Sequence, residues 1–142
     1  MQVKEAMSAT ATRVRKKVLV AEADRQLGEI IQALLSRHGY DVIRASDGRD
    51  ALQKILAENP DAILLDDSLP GIQETQICTM LRSNKITRQI PLAFLTGDPQ
   101  GNVFKPAQEA GALLLIPKPF KPEQLLSSVG ILISARRKKS AA

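Results

Sequence analysis

Five short apolar runs punctuate the chain: Val18–Ala21, Val42–Ala45, Ala62–Leu65, Leu92–Leu95 and Ala112–Ile116. Each has the length of a strand. Near-continuous apolarity, rather than alternation, marks strands that helices cover on both faces of a parallel sheet. Between the runs the period changes. Leu27, Ile30, Ile31, Leu34 and Leu35 recur at spacings of three and one, which lines one stripe of a helix. Gly39, after Arg37 and His38, reads as its stop. A second helix is predicted from about Asp47 to Glu58, with Ala51, Leu52, Ile55 and Leu56 on one face and Pro60 closing it. A third carries Ile77, Cys78 and Leu81; a fourth, around Ala107–Ala110, is short. A fifth begins at Pro122–Glu123 and uses Leu125, Leu126, Val129, Leu132 and Ile133, with Gly130 weakening its middle.

Five strand–helix units in about 120 residues predict an α/β fold, a (βα)5 doubly wound three-layer sandwich around a five-stranded parallel sheet. One domain is expected over residues 17–135. A basic N-terminal tail, 1–16, lacks periodicity and is expected to be disordered, and a basic C-terminal tail covers 136–142. No internal repeat is visible.

In such folds chemistry gathers at the carboxyl ends of the strands. There the first run leads into Glu22–Ala23–Asp24, and the third into Asp66–Asp67–Ser68–Leu69–Pro70–Gly71. The fourth leads into Thr96–Gly97, and the fifth into Lys118–Pro119–Phe120. Carboxylates, a hydroxyl and a lysine are thereby expected on one edge. Carboxylates so placed can hold a hard divalent cation such as Mg2+. An ionised aspartate beside that cation can attack a phosphoryl donor while lysine offsets the developing charge.

Leu64–Leu65–Asp66, followed after two residues by Leu69–Pro70–Gly71, resembles the phospho-acceptor segment of response-regulator receiver domains of two-component signalling, the CheY-like, flavodoxin-like family. Leu95–Thr96–Gly97 resembles that family's switch hydroxyl, and Ala110–Gly111–Ala112 with Lys118–Pro119–Phe120 its closing signature. The intervals, 30 residues from Asp66 to Thr96 and 22 from Thr96 to Lys118, suit it, and the similarity covers about residues 17–134. The resemblance implies Asp66 as phospho-acceptor, Thr96 and Gly97 as the switch, and Lys118 as the partner of the phosphoryl oxygens. It also implies a cis peptide before Pro119, with Phe120 packing behind the lysine loop. Mg2+ would be held by Glu22, Asp66 and the backbone carbonyl of Ser68, with Asp24 a further candidate. The implied partners are a sensor histidine kinase or phosphotransfer protein, and a downstream protein on the face of the fourth helix, fifth strand and fifth helix, where a homodimer is also expected.

The sequence also departs from the pattern. Receivers carry two adjacent acids after the first strand; here they are Glu22 and Ala23, so one carboxylate is missing. Weak Mg2+ binding is expected, since even outer groups of a metal site contribute roughly 10- to 100-fold in affinity. Leu115 stands at the output position, where the family often has an aromatic ring, so the coupling of an inward ring rotation to Thr96 is not available. Gln73–Glu74 replace the usual Asp-Gly pair, and Asp98 adds charge near the site in a turn-rich loop. These changes keep open a pseudo-receiver that docks proteins without phosphorylation. A remote alternative is a small haloacid-dehalogenase-like phosphohydrolase, whose second aspartate would fall at Ser68.

Charge and composition refine this picture. Residues 1–17 and 136–139 each contribute +4, so a chain of net +5 has a body of net −3. A mildly acidic body with basic ends does not read as a dedicated nucleic-acid binder; the ends fit either solubilising termini or docking to an acidic partner, a membrane surface or nucleic acid. Cys78, the single cysteine, suits a reducing cytoplasmic setting and is expected in the core. No apolar run approaches the roughly 20 residues of a membrane span. His38 reads as a helix-end group rather than a catalytic base.

Overall fold

A computed structural model describes residues 15–97 and 108–141. The strands are β1 (Lys17–Ala21), β2 (Asp41–Ala45), β3 (Ala62–Asp66), β4 (Leu92–Thr96) and β5 (Leu114–Pro117). The helices are α1 (Arg25–Arg37), α2 (Gly48–Glu58), α3 (Glu74–Arg82), the turn at 108–110, which we label α4, and α5 (Pro122–Ala141). All strands run parallel, in the order β2-β1-β3-β4-β5. The predicted doubly wound α/β sandwich is the observed fold.

Alternate residues of each apolar run go to opposite faces. Leu19, Ile63, Leu65 and Phe94 meet Ala51 and Ile55 of α2 and Ile77, Cys78 and Leu81 of α3. Val18, Val20, Leu64, Leu95 and Ile116 meet Ile31 and Leu35 of α1 and Leu125, Val129 and Leu132 of α5. Every residue of β3 and β4 is buried, as their position between two helical layers demands. Cys78 is fully buried, as expected.

Helix ends follow capping chemistry. Asp24 accepts from Leu27 N–H at 3.1 Å, and Asp47 from Asp50 N–H at 2.7 Å. Gly39 supplies the left-handed residue after α1, at φ 92. At α2 that duty falls on Asn59, at φ 48, rather than on Pro60 itself. His38 Nδ1 lies 2.9 Å from the Leu34 carbonyl, at the helix end as read. Two boundaries differ from the sequence reading. β5 begins at Leu114 rather than Ala112, because Gly111 still turns at φ 99 and Leu113 is half exposed. Helix α5 continues to Ala141, through most of the segment read as a C-terminal tail. Residues 1–14 of the N-terminal tail, and Ala107 with Asp98 of the region before α4, lie outside the described residues.

Parallel strands put all their carboxyl ends on one edge. The register pairs Ala21 with Leu65, Asp66 with Leu95, and Thr96 with Pro117, so the predicted site residues leave the sheet at one level. The chain winds outward in opposite directions from β1 and β3, which makes their junction the topological switch point. The loop after β3 is fixed against α2, where Gly48 N–H donates to the Pro70 carbonyl at 2.9 Å.

That close approach generates a prediction. A Cβ on Gly48 would lie 2.5 Å from the Ile72 carbonyl oxygen, whereas one on Gly130, inside α5, would meet nothing within 4 Å. Gly48→Ala is expected to lower unfolding free energy by about 1–3 kcal/mol, and Gly130→Ala to raise it by roughly 0.5–1 kcal/mol. Urea denaturation of both variants checks this; the opposite order of midpoints would refute the packing described.

Candidate functional site

Two carboxylates and one ammonium meet at the junction of β1, β3 and β5. Glu22 and Asp66 are each only 1% exposed. Lys118 Nζ lies 2.7 Å from Glu22 Oε1 and 3.3 Å from Asp66 Oδ1. The Glu22 contact is an ion pair whose angles fall outside hydrogen-bond geometry, which leaves Oε1 a buried oxygen with no directed bond. Burying two like charges is tolerable only with a cation between them.

Local geometry aims each group. The Glu22 N–H donates to the Ala45 carbonyl at 3.1 Å, and Glu22 Oε2 accepts from Asp24 N–H at 3.0 Å. Asp66 is the last residue of β3, and Asp67 N–H continues the ladder to the Leu95 carbonyl at 3.0 Å. Lys118 is pinned by its own N–H, which donates to the Thr96 carbonyl at 2.7 Å, and its peptide bond to Pro119 is cis, as the resemblance implied.

The two oxygens of Asp66 are treated unequally. Oδ1 accepts from Ser68 N–H at 3.2 Å and Ser68 Oγ–H at 3.1 Å, besides facing Lys118. Oδ2 accepts the Ala23 N–H at a long 3.3 Å. The Ser68 hydroxyl and the Ala23 amide are contributions that the sequence reading missed. A serine two residues after an aspartate is a recurrent source of such a local hydrogen bond, so the first was legible in principle; the second depends on β1 meeting β3.

These contacts set the charge states. Burial, and then the neighbouring Asp66, pushes the Glu22 carboxyl above its ordinary range, with Lys118 opposing only in part. Burial also works against the charge on Asp66, but Glu22, the Ala23 amide, the Lys118 charge and the Ser68 amide outweigh it and hold Asp66 below its ordinary range. A proton taken up by the pair therefore goes first to Glu22. Burial alone would lower Lys118; the two carboxylates more than compensate and raise it.

The other predicted residues fall into place unevenly. Thr96 is buried at the end of β4, and Gly97 beside it is exposed. Phe120 packs on the α1–α5 face of the sheet, and Leu115 on the opposite face beside the buried Phe94 cluster. Asp24 is not brought in as a third acid: it is exposed and its carboxylate caps α1. Among the described residues no group of three or more acidic, histidine or cysteine side chains could hold a metal. The remaining oxygen donors, Glu22, Asp66 and the Ser68 carbonyl, still fit Mg2+, which is commonly bound through one or two carboxylates and keeps several waters. The undirected Glu22 Oε1 has a lone pair to offer.

Comparison with known proteins agrees with this geometry. A family model described as "Response regulator receiver domain" matches residues 18–130. The chain is 36% identical over 129 residues to the alkaline phosphatase synthesis transcriptional regulatory protein PhoP of Bacillus subtilis (strain 168), covering 91% of this chain and 52% of that protein. It is 35% identical over 117 residues to the response regulator MprA of Mycolicibacterium vanbaalenii, covering 82% of this chain and 50% of that protein. The chain thus spans about half the length of the curated relatives it matches. Among solved structures, the chemotaxis response regulator CheY4 of Vibrio cholerae superposes with a TM-score of 0.79 at 26% identity, covering 84% of this chain and 99% of that one.

Removing the shared cation tests the electrostatics. In metal-free buffer at pH 7.5, Lys118→Met is expected to cost on the order of 3 kcal/mol, because two buried carboxylates lose their counter-charge. Both carboxyls then bind protons more tightly folded than unfolded, so stability should rise as pH falls from 7.5 to 5.5. Denaturation midpoints across that range measure it; a variant whose midpoint falls with pH would contradict the cage.

Proposed function

The chain belongs to the response regulator receiver domain family, and from that premise we propose that Asp66 accepts a phosphoryl group and thereby switches a protein-interaction surface. The observation that carries this reading is the convergence of a buried Asp66, held ionised, with Lys118 at 3.3 Å and Thr96 on the neighbouring strand. Oδ1 is occupied by Ser68 and Lys118, so Oδ2, with its single long hydrogen bond, is the oxygen we assign to attack. It forms the new P–O bond as the P–N bond of a kinase phosphohistidine breaks and the imidazole departs with the electron pair.

Lys118 then pairs with the phosphoryl oxygens, and the Thr96 hydroxyl donates to them. Mg2+, bound by Glu22, Asp66 and the Ser68 carbonyl, would supply charge neutralisation of those oxygens. Its affinity is reduced here because Ala23 brings no carboxylate. The added charge of roughly −1.5 to −2 at Asp66 shifts a population between two surfaces. Thr96 starts that shift, and Leu115 stands where an aromatic ring would transmit it. The face formed by α4, β5 and α5 meets the downstream protein or a second copy. The phosphoryl donors are a sensor histidine kinase or phosphotransfer protein in the cytoplasm, with small donors able to substitute. Family members are generally acceptors rather than enzymes; self-phosphorylation and autodephosphorylation are the most this chain would add.

A phosphorylation-independent docking module remains the second reading, favoured by the closed 2.7 Å pair of Glu22 and Lys118 beside an alanine. Intact-protein mass spectrometry after incubation with acetyl phosphate decides between them. We expect a Mg2+-dependent gain of one phosphoryl group in the wild type and none in Asp66→Asn. Ala23→Asp is expected to tighten Mg2+ binding by at least about tenfold, read by calorimetry. No phosphoryl gain in the wild type or in Ala23→Asp would leave the docking module as the function.

A further inference from the structure

Among the described residues, Glu22 is the one carboxylate that the end of β1 sends into the site. Ala23 carries none, and the Asp24 carboxylate is exposed and caps α1. The two oxygens of Glu22 have different neighbours. Oε2 accepts the Asp24 N–H at 3.0 Å, whereas Oε1 faces the Lys118 ammonium at 2.7 Å, outside hydrogen-bond geometry. The ammonium lies closer to Glu22 than to Asp66, whose Oδ1 is 3.3 Å away. The lone pair that Glu22 has to offer a divalent cation is therefore the one that the lysine already faces.

Two cations at one oxygen repel each other, and depth decides how strongly. Glu22 and Asp66 are each 1% exposed and the Lys118 side chain is 20% exposed, so water does little to screen like charges there. A second acid after β1 would let a cation bind without using Oε1. Ala23 removes that way round, and the contest falls on a single oxygen.

We infer that Lys118 and the divalent cation compete for Glu22 Oε1, so that the metal-free protein holds its lysine on Glu22 and metal binding releases it to Asp66. The inference rests on the metal site proposed above and adds a second cause of weak Mg2+ affinity to the missing acid. Lys118 is then an antagonist of the cation as well as a partner of the phosphoryl oxygens. Such coupling is reciprocal: the affinity that the ammonium takes from the cation, the cation takes from the ammonium. An order of events follows, in which the lysine is free to meet a phosphodonor only after the cation has arrived.

Calorimetric Mg2+ titration of the full chain, with no phosphodonor present, tests this on wild type, Lys118→Gln, Ala23→Asp and the double variant. Groups beside a metal site change its affinity by about 10- to 100-fold, and Lys118→Gln is expected to tighten binding within that range. Ala23→Asp gives the cation a ligand that the lysine does not hold. In that background Lys118→Gln should gain clearly less than in the wild type, whereas mere loss of a positive charge gains the same in both. The inference is overturned if Lys118→Gln binds no more tightly than wild type, if the gain is equal in both backgrounds, or if none of the four proteins binds Mg2+. Should Lys118→Gln fail to fold, the wild type decides alone. Proton NMR is expected to show nuclear Overhauser contacts between Lys118 Hε and Glu22 Hγ without metal, lost as Mg2+ saturates the protein; contacts kept at saturation overturn the inference. A phosphoryl gain on Asp66 beside a lysine that ignores Mg2+ would sink this inference and leave the acceptor standing, and the reverse pair of results would do the opposite.

Discussion

The Lys118 ammonium, 2.7 Å from one buried carboxylate and 3.3 Å from another, is the contact on which the rest of the site depends. Glu22 and Asp66 are both almost sealed from water, and without a cation neither could stay charged at that depth. The sheet exists, functionally, to make this meeting possible. β1 and β3 deliver the acids at the switch point, and the Thr96 carbonyl fixes the lysine at the start of the loop after β5. A parallel sheet is well suited to this, since all its strand ends open on one edge.

The lysine is shared, so the two acids differ through their other partners. Asp66 gathers amide donors from Ala23 and Ser68 together with the lysine, and stays ionised; Glu22, with less directed help, holds a proton more tightly. Asp66 thus keeps its charge while buried, with Lys118 as the counter-charge. Ala23 brings no carboxylate to the site, yet its amide still helps to orient Asp66.

Most of the fold was legible because its signals are local. The apolar runs of β3 and β4, the stripe of α1 and the Asp-Gly start of α2 each announce themselves within a dozen residues. What escaped depends on contacts between distant segments or on two signals competing for one residue. Asp24 could be read as a metal acid or as a helix cap; its spacing to Leu27 decided for the cap. Ala112 and Leu113 belong to an apolar run, yet Gly111 is still turning and the strand starts later. The Ser68 hydroxyl on Asp66 needed only local reasoning, whereas the Ala23 amide required the register of β1 on β3. Asp66, Lys118 and Thr96 stood out through their motifs.

Carbon-13 NMR of the Glu22 and Asp66 side-chain carboxyls, followed from pH 8 to pH 2 in metal-free buffer, tests the central claim most directly. The account predicts that Glu22 takes up its proton first, above the ordinary glutamate range, and that Asp66 stays ionised until below the ordinary aspartate range. If Asp66 protonates before Glu22, or the two titrate independently at ordinary values, Lys118 does not organise the pair and the proposed nucleophile is not prepared by the fold.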